Sequence, residues 1–246
     1  MRHFRIPMLT LGMVVISAIT VVGQEPAAKL PADGSWIRYR NMIKTESDGR
    51  VSEYTLQTTH SLVGTVVEDG ATCRWVEAKL VTLNDGKEQV HILKALISEK
   101  DLLESELPHI NFKRAWGKNP NGNVNALKNP LDPAISCGVA FAFPGFWKNS
   151  ENIDAGKIID YQKGQLKLTR ARTRKLNIDL PLRANHNRKM EVEITAWFDE
   201  ATAPFMVAEK KHNKTYFDGK LGISNESESV VEDDGFDAKS ELPEQN

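Results

Sequence analysis

Residues 48–70 read DGRVSEYTLQTTHSLVGTVVEDG, and this stretch decides the fold class. Tyr54, Leu56, Thr58, His60 and Leu62 alternate with Glu53, Thr55, Gln57, Thr59 and Ser61. A two-residue period with one dry and one wet side marks a strand in an antiparallel sheet covered on one face. Both ends of the run carry Asp-Gly, at Asp48-Gly49 and Asp69-Gly70, and the dipeptide returns at Asp85-Gly86 and Asp218-Gly219. A type I′ turn needs positive φ at both central residues, which Asp tolerates and Gly accepts freely, so each marks a hairpin. The spacing predicts a β-meander from Trp36 to about Ile97. A second β region follows over 157–182 and 189–222, where Val192, Ile194, Ala196 and Phe198 oppose Glu191, Glu193 and Thr195.

Two helices are expected within this β pattern. Ser98-Glu99-Lys100-Asp101 reads as a capping box opening a short helix to about Glu106, before Pro108. Asp132 then serves as N-cap with Pro133 at the first helical position, and an apolar run continues through Phe143 to Pro144-Gly145. Ile135, Val139, Phe141 and Phe143 point all round, so such a helix has to be buried, most simply on the concave side of a curved sheet. An apolar loop or strand over Val139–Phe143 is the competing assignment. Residues 117–130 read as an Asn-, Gly- and Pro-rich loop. The expected class is mainly β (α+β): a curled antiparallel sheet or open half-barrel with one or two short helices on its concave side.

The chain opens with Arg2 and Arg5 before the apolar run PMLTLGMVVISAITVV over 7–22, then Gly23-Gln24. A basic head and a short apolar stretch ahead of polar residues form a secretory signal, with cleavage after Gly23. The run is shorter than a bilayer span requires and contains Thr and Ser. The expected organisation is a signal peptide over 1–23, a linker over 24–34, one β-rich domain over 35–223, and an acidic segment over 224–246 forming a last strand and then a tail. Export implies a periplasmic or extracellular protein, soluble after cleavage and without a transmembrane anchor. In an oxidising compartment Cys73 and Cys137 fit two readings, a disulfide or two buried free thiols.

Composition narrows the function classes. Of 246 residues, 32 are Lys or Arg and 33 Asp or Glu, a near balance that argues against nucleic acid as a partner. Two cysteines exclude a Cys-only zinc site, and the six histidines show no metal-ligand spacing. No nucleophile elbow and no phosphate-cradling glycine loop occurs, so neither catalytic residues nor a cofactor is expected. Paired carboxylates leave no sequence mark, and an enzyme with an unmarked site stands as an alternative. If residues 166–178 form one strand, Arg170, Arg172 and Arg174 share a face with Leu166, Leu168, Leu176 and Ile178. Three arginines in an apolar row are a candidate anion grip, unless a bend turns them into solvent. Asn213-Lys-Thr215 and Asn225-Glu-Ser227 match the N-glycosylation pattern.

Several phrases occur together: LPADGSWIRY, LKALISEKDLLESE, the FPGF turn, GKIIDYQKGQLKL and FDAKSELPE. Over most of 30–243 they resemble an uncharacterised family of exported proteins from planctomycete-type bacteria. That family is similar in fold to the periplasmic lipoprotein-carrier half-barrel, a sheet curled around helices that close an apolar cavity. The resemblance implies a non-enzymatic binding module for a lipid, an apolar or amphipathic small molecule, or an exported polypeptide. The candidate lining is Trp36, Tyr54, Leu56, Val139, Phe141, Phe143, Val192, Ile194 and Phe198, although a filled core is the simpler reading of the same residues because interiors are close-packed. A structural or adaptor protein acting through its surface is a further alternative.

Overall fold

The computed structural model describes residues 29–84, 86–106, 111–127, 143–182, 186–199 and 206–242. They form one open antiparallel sheet of eleven strands: β1 (Trp36–Ser47), β2 (Arg50–Glu68), β3 (Ala71–Asn84), β4 (Lys87–Ser98), β5 (Arg114–Lys118), β6 (Val124–Ala126), β7 (Glu151–Tyr161), β8 (Gly164–Leu182), β9 (His186–Phe198), β10 (Met206–Phe217) and β11 (Lys220–Gly235). The spatial order is β6-β5-β4-β3-β2-β1-β11-β10-β9-β8-β7. Two meanders therefore meet where the first strand pairs with the last, and the chain crosses from one edge, β6, to the other, β7. The expected class holds.

The turns follow their sequence signatures. Asp48 and Gly49 (φ 51° and 73°), Asp69 and Gly70 (52° and 76°), and Asp218 and Gly219 (48° and 80°) all take the left-handed conformation that type I′ hairpins require. Ser98 caps α1 (Glu99–Glu104), its side chain accepting from the Asp101 amide at 3.0 Å. The Asn-rich stretch is less of a loop than its composition suggests. Asn119 Oδ1 accepts from the Asn121 and Asn123 amides at 3.1 and 3.0 Å and turns the chain between β5 and β6. The expected buried helix from Asp132, with Val139 and Phe141, lies outside the described residues, as do the signal segment and Cys137. Cys73 is a buried free thiol.

Residues paired across neighbouring antiparallel strands share a face, so the register assigns every side chain to one of two surfaces. The dry face carries Ile37, Tyr39, Leu62, Val76, Leu93, Ala95, Val192, Ile194, Ala196 and Val231, all buried in one cluster. Leu102 of α1 and the aromatic trio Phe143, Phe146 and Trp147 belong to it. Phe146 and Trp147 sit in a 3-10 turn, Pro144–Trp147, that packs on α1. Gly145 makes that contact possible, since a Cβ there would stand 2.6 Å from the Ser105 carbonyl oxygen and 2.9 Å from that of Leu102. The wet face has its own smaller cluster at β3–β5: Cys73, Trp75, Ile92, Leu96 and Trp116, joined by Leu242. The acidic end is thus no free tail as far as residue 242. Buried Glu77 accepts from the Glu241 amide at 3.0 Å and the Ser240 hydroxyl at 2.8 Å, and Lys94 Nζ donates to the Leu242 carbonyl at 2.9 Å. Its first half lies in β11, the strand that joins the two meanders.

Candidate functional site

An open groove of about 780 Å³ crosses the wet face where the two meanders join. Two register rows line it. One runs Glu53–Lys44–Glu226–His212–Glu193 over β2, β1, β11, β10 and β9, and the other Thr55–Met42–Glu228–Lys210–Thr195 over the same strands. Between them lie Tyr54, Ile43, Ser227 and Lys211, whose side chains alternate to the dry face and whose backbone forms the floor. Val51, at the β1–β2 hairpin, and Leu221, at the β10–β11 hairpin, leave exposed apolar side chains towards the open end.

The next row along the strands, Arg40–Val230–Ala208–Trp197–Ala171, is largely apolar, and there strand β7 folds back towards β11. Lys157 on β7 pairs with Glu228 and places its ammonium 5.0 Å from the centre of the Trp197 ring. Trp197 Nε1 donates to the Ala155 carbonyl at 2.9 Å, and the Gln162 amide to that of Glu232 at 3.2 Å. Lys163 bonds Asp234 at 2.7 Å, a hydrogen bond that raises the lysine pKa. These contacts close one end of the groove. At the other, Lys189 Nζ and then Tyr216 OH, donating to Glu191 at 3.1 and 3.0 Å, hold its carboxyl below the usual range.

His212 is the groove's one ring base, and its Nε2 lies 3.2 Å from Ser224 Oγ. Nucleophilic catalysis asks more of such a pair: a group orienting the other ring nitrogen and free donors for an oxyanion. Among the described residues no carboxylate hydrogen-bonds the ring, and the surrounding strand residues are engaged in sheet pairing. No cluster of three His, Cys, Asp or Glu suited to a metal occurs among the described residues. The arrangement suits binding through charge and shape.

The sequence candidates divide between regions. Phe143, Val192 and Ile194 are packed in the dry-face core, and Phe198 joins its edge, edge-to-face with Trp147 at 5.5 Å. Leu56 is half-buried on the same face, Tyr54 is exposed there beside the groove floor, and Trp36 stands apart, donating to Asp237 at 2.8 Å. The three arginines do share a strand, yet they separate in use. Arg170 is exposed and Arg172 lies 5.7 Å from the Phe198 ring centre. Arg174 is buried, bonded to the Phe146 carbonyl, paired with Glu106 at 2.5 Å and stacked 4.8 Å over the Phe146 ring, so it ties the 3-10 turn to the sheet. Thr215 of the first glycosylation pattern is buried and Asn213 Oδ1 enclosed.

The dry face also encloses polar groups. Burial, and then nearby Glu209, push the Tyr39 hydroxyl well above its usual pKa, and it donates to the Met206 carbonyl at 2.7 Å. Burial lowers His60 to about 4. Glu209 pairs with Lys211 at 3.6 Å through one oxygen, while the other has no hydrogen-bond partner among the described residues.

The groove residues Met42, Lys44, Glu53, Glu193, Lys210, His212, Glu226 and Glu228 were not singled out by sequence pattern. Their signal is the cross-strand register between β1 and β11, which joins residues nearly two hundred positions apart. Neither a scan of protein-family models nor a search of curated proteins finds a match to this chain.

Proposed function

We propose that this chain is an exported, non-enzymatic binding module of the cell envelope that holds an amphipathic ligand or a segment of another exported polypeptide in the wet-face groove. The observation that carries this reading is the groove itself, open and of a size ordinary for ligand sites. Its walls mix charges of both signs with Met42 and two threonines, the lining an amphipathic partner needs. On the dry face, where the sequence expected the ligand, Phe143, Val192 and Ile194 are buried in the apolar cluster. Export rests on the basic and apolar character of residues 1–23.

Native mass spectrometry of protein purified from its own host, with organic extraction of whatever travels with it, tests the reading. Wild type carries a bound species, and Thr195→Trp, which fills the groove from β9, comes out empty with an unchanged circular dichroism spectrum. Wild type emerging empty from several growth conditions, or the Trp variant carrying the same load, contradicts it.

A further inference from the structure

The groove repeats its carboxylates on every second strand. Glu53 on β2, Glu226 on β11 and Glu193 on β9 share one row, with Lys44 and His212 on the strands between. Adjacent strands lie about 4.8 Å apart, so the carboxylates recur at roughly 9.6 Å along a groove about 19 Å long. Cross-strand charges this close normally satisfy one another in ion pairs. Here Glu53, Lys44 and Glu226 form none among the described residues, while Glu193 pairs outward with exposed Lys175 at 3.4 Å. The row is left available to something laid across it.

Two kinds of extended chain are candidates on geometry. A β-strand presents side chains on one face about every 6.8 Å and falls out of step after one carboxylate. A polyproline II helix completes a turn in three residues, about 9.3 Å, and matches the repeat across all three. Its carbonyl oxygens are also unpaired, acceptors for Lys44 and for Lys210 in the adjoining row. We propose that the groove takes a proline-rich segment of another exported polypeptide, about seven residues long, with Lys or Arg at every third position. It lies across the strands with one cation over each carboxylate. This rests on the groove being the binding site proposed above.

Fluorescence anisotropy of the full chain against a labelled (Lys-Pro-Pro)4 peptide tests the proposal. A peptide of the same composition with its lysines blocked together, and (Glu-Pro-Pro)4, serve as comparisons. The expected result is binding to (Lys-Pro-Pro)4 at least tenfold tighter than to either comparison, weakened by salt and about tenfold weaker in Glu226→Gln and in Glu53→Gln. Both substitutions sit at solvent-facing groove positions and keep the side chain's shape. Equal affinity for the blocked peptide, or no change in either variant, overturns it. If no peptide binds but a lysophospholipid does and Thr195→Trp abolishes that, this inference fails while the groove reading stands. If nothing binds in any form, both fail.

Discussion

The two faces of this sheet are made from the same strands, yet they solve opposite problems. Around Ile194 the dry face is closed by α1 and the aromatic turn, and even buried Arg174 is consumed by Phe146 and Glu106. One residue away along β9, Glu193 and Thr195 look out over a groove where Lys44, Glu53 and Glu226 form no ion pair among the described residues. The difference teaches that an alternating strand distributes stability and recognition by parity. A residue's neighbour in sequence belongs to the other task.

Substitutions should respect that division. Ile194→Ala removes a fully buried side chain and is expected to cost about 3 kcal/mol in urea unfolding, whereas Met42→Ala, three strands away on the wet face, should stay within about 0.5 kcal/mol. Equal losses at both would break the comparison. His60 gives the dry face an acid sensitivity of similar size. An unfolded histidine titrates near 6.5 and the folded one at about 4, so the fold holds the neutral ring. Its contribution is complete above pH 6.5 and declines as pH falls towards 4, by about 3 kcal/mol in all. His60→Leu should flatten that part of the stability–pH curve measured by chemical denaturation.

Smaller effects sharpen the picture. Arg174→Met should cost about 2 kcal/mol, less than a fully enclosed ion pair because Glu106 is half exposed, and should loosen the 144–147 turn in hydrogen exchange. Glu77→Ala should cost about 1–2 kcal/mol and make residues 236–242 accessible to protease, showing that the docked end depends on that carboxylate. Smallest of all, Lys44→Ala should change stability by no more than about 0.5 kcal/mol, because it makes no ion pair among the described residues.

Much of the fold was legible because its cues are local. Asp-Gly turns need only two residues, the β1–β4 meander needs only alternation, and Ser98 caps α1 through a contact three residues away. What escaped is non-local. The pairing of β1 with β11 has no mark in either strand alone, and without it Lys44 and Glu226 are two unrelated surface charges. The docked end escaped for a similar reason: an acidic composition argues for a solvated tail, and only buried Glu77 and the cluster around Trp75 give Ser240 and Leu242 a place to settle. The dry-face candidates Val192 and Ile194 were correctly seen as apolar and inward, but alternation does not distinguish a pocket wall from a filled core.

Met42 and Tyr54 sit on neighbouring strands beside one groove and point to opposite faces. A photo-crosslinking amino acid placed at each in turn, in protein expressed by its own host, asks directly which face meets the ligand. Adducts at Met42 and at Thr195, with none at Tyr54 or at exposed Leu83, are predicted. Adducts confined to Tyr54 would contradict the account.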